Sequence, residues 1–180
     1  MTLVKKTRFC KFIRDRLCFL ANRQRGAYVH LTLPPSSIPL FSETVDWVVR
    51  DLKKLRGIIV SGTTAESLQD SFAYTTCDRQ KLKELITLKA DEYGWQLFPL
   101  NQPKVNQFLF DPKHAIREPG ACSLAKRVKS LDFQGKSVGK CIFRDSADCS
   151  TCACNLTALT RSVRQVDWAT IKGLITSFYG

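Results

Sequence analysis

Cysteines 149, 152 and 154 form the densest group of metal-capable or nucleophilic side chains in the chain. Cys149-x2-Cys152 is the spacing with which one backbone turn offers two thiolates to a tetrahedral metal, and Cys154 follows two residues later. A complete site needs ligands from elsewhere. Cys141 completes an expected set of Cys141, Cys149, Cys152 and Cys154, with Cys122 and His114 also within loop reach. Thiolates at this spacing suit zinc, and an iron–sulfur cluster using Cys122 or Cys141 is the alternative. Reduced cysteines in a tight loop, with no metal, are the competing reading. A bound metal would act structurally, because a loop of small polar residues has little apolar mass to hold it together.

Catalytic sets are less complete. Asp111, His114 and Cys122 supply an acid, a base and a thiol, but such groups are assembled across a fold and not by proximity in sequence. Gly135-Lys136-Ser137 ends like a phosphate-binding loop, yet the glycine that should open the loop is replaced by Ser130. Only His30 and His114 are available as imidazoles, far apart in the chain. A binding role is therefore expected ahead of an enzymatic one.

The 180 residues carry 28 Lys and Arg against 16 Asp and Glu, a net charge of +12. The excess lies at the ends. Residues 1–42 hold eight basic side chains and the single acid Asp15, the stretch 43–100 is close to neutral, and residues 101–180 hold twice as many basic as acidic groups. Cationic ends attract a polyanion, since each Lys or Arg brought to a phosphate releases condensed counterions; a solvated surface that only confers solubility is the alternative. The longest apolar runs fall far short of the roughly 20 residues that cross a bilayer. Arg14, Asp15 and Arg16 interrupt the run a secretory signal would need, so an intracellular protein, cytoplasmic or nuclear, is expected, with an organelle transit segment as the other reading. Thiols or metal ligands, not disulfides, follow from that compartment.

The elements that must position these groups are read from periodicity. Residues 8–23 place Phe9, Phe12, Ile13, Leu17 and Leu20 on one side of a basic amphipathic helix, with Lys11, Arg14 and Arg23 available to phosphates. Residues 27–33 alternate as a strand, and Ser42 can cap a helix with Val45, Val48 and Leu52 inward. Strands are expected at 57–61, 71–76 and 95–100, with a helix capped by Asp78 and closed by Gly94 between the last two. This is a βαββαβ order, that of the ferredoxin-like motif, over residues 27–100 of an α+β protein. Residues 101–103 read as a linker to a basic, cysteine-rich extension. There a strand is expected at 105–110, a short basic helix from Pro119 carrying Lys126, Arg127 and Lys129, a strand at 137–143, and a final helix capped by Ser162.

Tyr28 in the first expected strand, and Phe72 and Tyr74 around a small residue in the third, resemble the paired aromatic signatures of the RNA-recognition motif. The resemblance implies a ferredoxin-like sheet on which unpaired bases stack. Aromatics at strand spacing equally serve as core, with Phe72 and Tyr74 packed on Leu82 and Leu85. The expected function is binding of RNA or another single-stranded nucleic acid by a regulatory or accessory protein. The alternatives are a zinc-stapled factor that docks a protein partner through its C-terminal region, and a nucleic-acid-processing enzyme.

Overall fold

The computed structural model describes residues 15–16, 18–19, 23, 26–63, 71–114, 122, 126, 131, 133–137 and 149–179. Among them the protein is mixed α and β, with five α-helices and a two-stranded parallel sheet. Strand β1 (Ala27–Leu33) leads through a 3₁₀ segment, Pro35–Leu40, into helix α1 (Phe41–Asp51) and then strand β2 (Leu55–Gly62). The register runs from Ala27 opposite Leu55 to Leu33 opposite Gly62. A parallel pair needs a crossover of this kind. Ser42 is not the cap of α1: Pro35 and Pro39 wind the 3₁₀ segment straight into the helix, which starts one residue earlier.

Helix α2 (Thr76–Tyr93) begins where a third strand is expected. Thr75 and Asp78 form a capping box: the Thr75 hydroxyl accepts from the Asp78 N–H at 3.1 Å, and the Asp78 carboxylate accepts from the Thr75 N–H at 3.0 Å. That box turns 71–76 out of any sheet, overriding the strand preference of its aromatic and β-branched residues. Thr75 is thus the cap and Asp78 its partner. Gly94 closes the helix with φ +88°. The fourth expected strand is also replaced, by a 3₁₀ turn, Trp95–Leu97, and by turns through Pro99, which has no N–H for a ladder. The parallel β1–β2 pair and these two missing strands depart from the ferredoxin-like arrangement.

Helix α3 (Pro103–Phe110) stands where a strand is expected. Val105, Phe108 and Leu109 follow i, i+3, i+4 spacing, and Pro103 at the first position presets the helical φ. Helix α4 (Asn155–Arg164) and helix α5 (Trp168–Tyr179) follow the cysteine turn. Ser162 lies inside α4 and bonds the Thr170 hydroxyl at 2.9 Å, while Asp167 caps α5 by accepting from the Thr170 N–H.

Phe41, Val45 and Val48 of α1, Ile58 and Val60 of β2, Leu82 and Ile86 of α2, Phe98, and Val105 and Phe110 of α3 form one buried core that Ala153, Ala158 and Leu159 join. Residues 101–102 are therefore no linker. Asn101 is fully buried, and its side-chain amide accepts from the Val60 N–H at 2.7 Å and donates to the Val60 carbonyl at 2.9 Å. Asn155 donates to the same carbonyl at 3.1 Å, and the Gly62 N–H donates to the Ala153 carbonyl at 3.1 Å. The β2 edge is thus satisfied by side-chain amides and one loop carbonyl, where a third strand would otherwise pair.

Candidate nucleic-acid interface and cysteine cluster

The parallel pairing sets the chain entering β1 beside the chain entering β2. Lys53 and Lys54 are exposed in the turn before β2, Arg56 is its second residue, and Arg23 is exposed in the helical segment before β1. Gly26, with φ +85°, allows the two to close: a Cβ there would lie 3.1 Å from Arg56 Cδ. Arg23 stacks over the Phe19 ring at 4.2 Å. Two carboxylates of α1 are already engaged, Asp51 with Arg50 at 2.8 Å and Asp46 with Lys89 at 2.5 Å. The Lys89 and Tyr93 hydrogen bonds hold the Asp46 carboxyl below the usual range. The sheet thus has a cationic end that averaged charge over 43–100 conceals, since Lys53, Lys54 and Arg56 belong to that nearly neutral stretch.

Of the expected nucleic-acid residues, Arg23 lies at this end, and so does Tyr28, half-buried, with its hydroxyl donating to the Ser177 carbonyl of α5 at 3.2 Å. Arg56 reaches the same carbonyl at 3.5 Å. Phe72 is exposed in a turn at the far end of the sheet, where its carbonyl accepts from the Thr63 hydroxyl. Tyr74 is buried at that far end and donates to the Leu33 carbonyl at 2.5 Å. The three rings therefore do not share a stacking face, and Phe72 does not pack into the core as the alternative had it. Lys126 is exposed. Lys11, Arg14, Arg127, Lys129 and Cys141 lie outside the described residues.

The cysteine turn docks at the far end. Cys149–Thr151 is a 3₁₀ turn, closed by the Cys152 N–H donating to the Cys149 carbonyl at 3.2 Å. Ala153 packs so tightly on Gly62 that a Cβ on the glycine would sit 2.5 Å from the Ala153 Cβ. Arg79, in the first turn of α2, reaches under the turn. Its guanidinium donates to the carbonyls of Leu109 at 3.0 Å, Ser150 at 3.3 Å and Cys152 at 3.5 Å, and it lies 5.8 Å from the Tyr74 ring centre. The turn is thus held by a buried cation and a snug alanine, support that its small polar composition does not announce. The signal for Arg79 was its place three residues before Leu82 and seven before Ile86, on the apolar stripe of its helix.

Cys152, Cys154, His114 and Arg161 line a cavity of ≈ 20 Å³, enough for about one water. Arg161 donates to the His114 carbonyl at 2.7 Å and stacks over Phe108 at 4.8 Å. Cys122 lies 3.8 Å from the Thr157 hydroxyl, and Thr157 lines the same cavity. The structure thus brings His114 and Cys122 toward Cys152 and Cys154. Among the described residues, though, no three His, Cys, Asp or Glu side chains converge closely enough to hold a metal ion. No described helix is long and apolar enough to cross a membrane. Comparison with protein families, curated proteins and solved structures finds no match.

Proposed function

We propose that the protein binds single-stranded nucleic acid, RNA foremost, as a regulatory or accessory factor, and that the cationic end of the β1–β2 pair is a principal contact. The observation that carries this reading is the parallel register, which sets the segment entering β1, with Arg23, beside Lys53, Lys54 and Arg56, while Asp46 and Asp51 of α1 are already paired. Four cations at one end form a patch on which phosphates release counterions, and Phe19 beneath Arg23 adds an exposed ring. Such a patch follows the backbone and does not read sequence.

Binding of a labelled mixed-sequence single-stranded RNA, measured by anisotropy across a salt series, tests this. The wild-type affinity should fall linearly with salt on logarithmic axes. Lys53→Glu with Lys54→Glu should weaken binding at least tenfold and flatten the slope by roughly 1.4, about 0.7 for each lost single-strand phosphate contact. An unchanged slope and affinity would remove the patch from the interface. A second reading, docking of a protein partner through the C-terminal region, draws on the exposed rings of Phe133, at 96%, and Trp168, at 74%. It predicts that RNA affinity is unmeasurable at physiological salt in every variant.

A further inference from the structure

Helix α5 turns large apolar side chains away from the core. Its inward face is small and polar: Thr170 is fully buried and bonded to Ser162, Gly173 lies against the Pro99 carbonyl, and Leu174 adds some apolar bulk at the core's edge. Outward, Trp168, Lys172 and Ile175 follow i, i+4, i+7 spacing and so form one stripe, with Trp168 74% and Ile175 55% exposed. A surface helix normally buries its apolar stripe, and a contiguous one left in water marks an interaction surface. The corner before the helix is an independent sign. The Val166 N–H donates to the Val163 carbonyl at 3.0 Å and the Asp167 N–H to the Ser162 carbonyl at 3.3 Å, the paired bonds of a Schellman end on α4. Val166 holds the left-handed position of that motif, φ +56°, which glycine usually fills and a β-branched residue rarely does. Its side chain is 58% exposed, so packing does not offset the strain. Glycine would serve the fold better; valine adds apolar surface two residues before Trp168.

Charge selects the partner. Arg164 and Lys172 are exposed, four residues before and four after Trp168. The segment 155–180 contains one acid, Asp167, and its carboxylate is held as the cap of α5 by the Thr170 N–H and hydroxyl. A second copy of the chain carries the same +12 and is repelled. Single-stranded bases would stack on Trp168 but leave Val166 and Ile175 in water. An apolar layer faced with negative charge meets both the rings and the cations, and an indole set between two basic side chains is the composition of a membrane–water interface. We propose that the α4–α5 corner and the outer stripe of α5 dock on an anionic phospholipid bilayer, lying in its interface without crossing it. Val166 and Ile175 enter the acyl boundary, the Trp168 indole sits at headgroup level, and Arg164 and Lys172 reach the anionic headgroups. This surface goes beyond nucleic-acid binding and does not rest on it.

The test uses the full chain, sedimented with vesicles of phosphatidylcholine alone or with about one third phosphatidylserine. Wild type should bind the anionic vesicles about tenfold or more tightly than the neutral ones, and brominated acyl chains should quench its tryptophan emission. Trp168→Phe, which keeps the half-buried Trp47 and Trp95, should still bind but lose that quenching. Trp168→Ser with Ile175→Ser leaves the charge unchanged and should weaken binding to anionic vesicles about tenfold or more, and Arg164→Glu with Lys172→Glu should weaken it by a similar factor. Val166→Gly should weaken binding about threefold while its urea midpoint stays or rises, a pairing that a merely structural valine would not give. Undiminished binding by the Trp168 and Ile175 double variant would reduce the attachment to charge alone. Protein left in solution beside anionic vesicles would return the stripe to an acidic protein partner. Either result overturns the proposal, as does unquenched Trp168 in vesicle-bound protein.

Discussion

The amide of Asn101 closes both backbone hydrogen bonds of Val60, accepting at 2.7 Å and donating at 2.9 Å, and so stands where a neighbouring strand would. The arrangement is itself braced, because Asn106 donates to the Asn101 carbonyl at 2.8 Å and accepts from its side chain at 3.2 Å. Replacing Asn101 with Leu keeps the branching of the side chain but orphans a buried N–H and weakens a buried carbonyl. The expected loss is roughly 2–4 kcal/mol, given a cost of about 1–3 for each unsatisfied buried group. Urea unfolding should show a lower midpoint with an unchanged slope. A loss under about 1 kcal/mol would mean that water takes over the amide's role.

What the sequence made legible follows from how local each cause is. The alternation over 27–33, the apolar spacing of Val45 and Val48, and Gly94 at the end of α2 each act within a few residues, and all three stand in the structure. Phe72 to Thr76 has a strand's composition, but the Thr75–Asp78 box outweighs it, and the box was visible as Thr-x-x-Asp. Val105 to Phe110 fits both periods, and Pro103 settles the matter for the helix. Asn101 and Arg79 were not legible as anchors, because their partners Val60, Leu109 and Ser150 lie far away in sequence. The same reason hid the cationic end: no local pattern joins Arg23 to Lys53.

Helix α5 depends on a glycine. A Cβ on Gly173 would fall 2.2 Å from the Pro99 carbonyl oxygen, a backbone atom that cannot swing aside. Gly173→Ala should therefore cost about 1–3 kcal/mol as an overpacked contact, despite alanine's better helix propensity. Lifting α5 would also take the Ser177 carbonyl from Tyr28 and Arg56. Hydrogen exchange should quicken over 168–177 while β1 and β2 keep their protection. Protection unchanged in α5 would show that the helix shifts without leaving the sheet.

Tyr74 gives the fold an alkaline limit. Burial raises its phenol far above the ordinary tyrosine value near 10, the Asp78 charge adds to this, and the Arg79 cation opposes it. A group whose folded pKa is raised contributes stability that is complete below the unfolded pKa and is lost as pH climbs toward the folded one. In the unfolded chain Tyr74 ionises from about pH 10 upward, while in the folded protein it stays protonated and bonded to Leu33, so stability should fall through that window. Tyr93, pushed up to about 12 by its hydrogen bond to the Asp46 carboxylate, acts in the same direction, so a single curve does not separate the two. The difference between wild type and Tyr74→Phe does. At pH 7 the variant loses the hydroxyl's bond to the Leu33 carbonyl, worth about 0.5–1.5 kcal/mol. Above pH 10 the variant has no phenol to ionise when it unfolds, so the gap should narrow and can reverse. Urea unfolding of both proteins at pH 7, 9 and about 11 measures the gap. A gap that stays constant across this range would mean that the Tyr74 phenol ionises in the folded protein as readily as in the unfolded one.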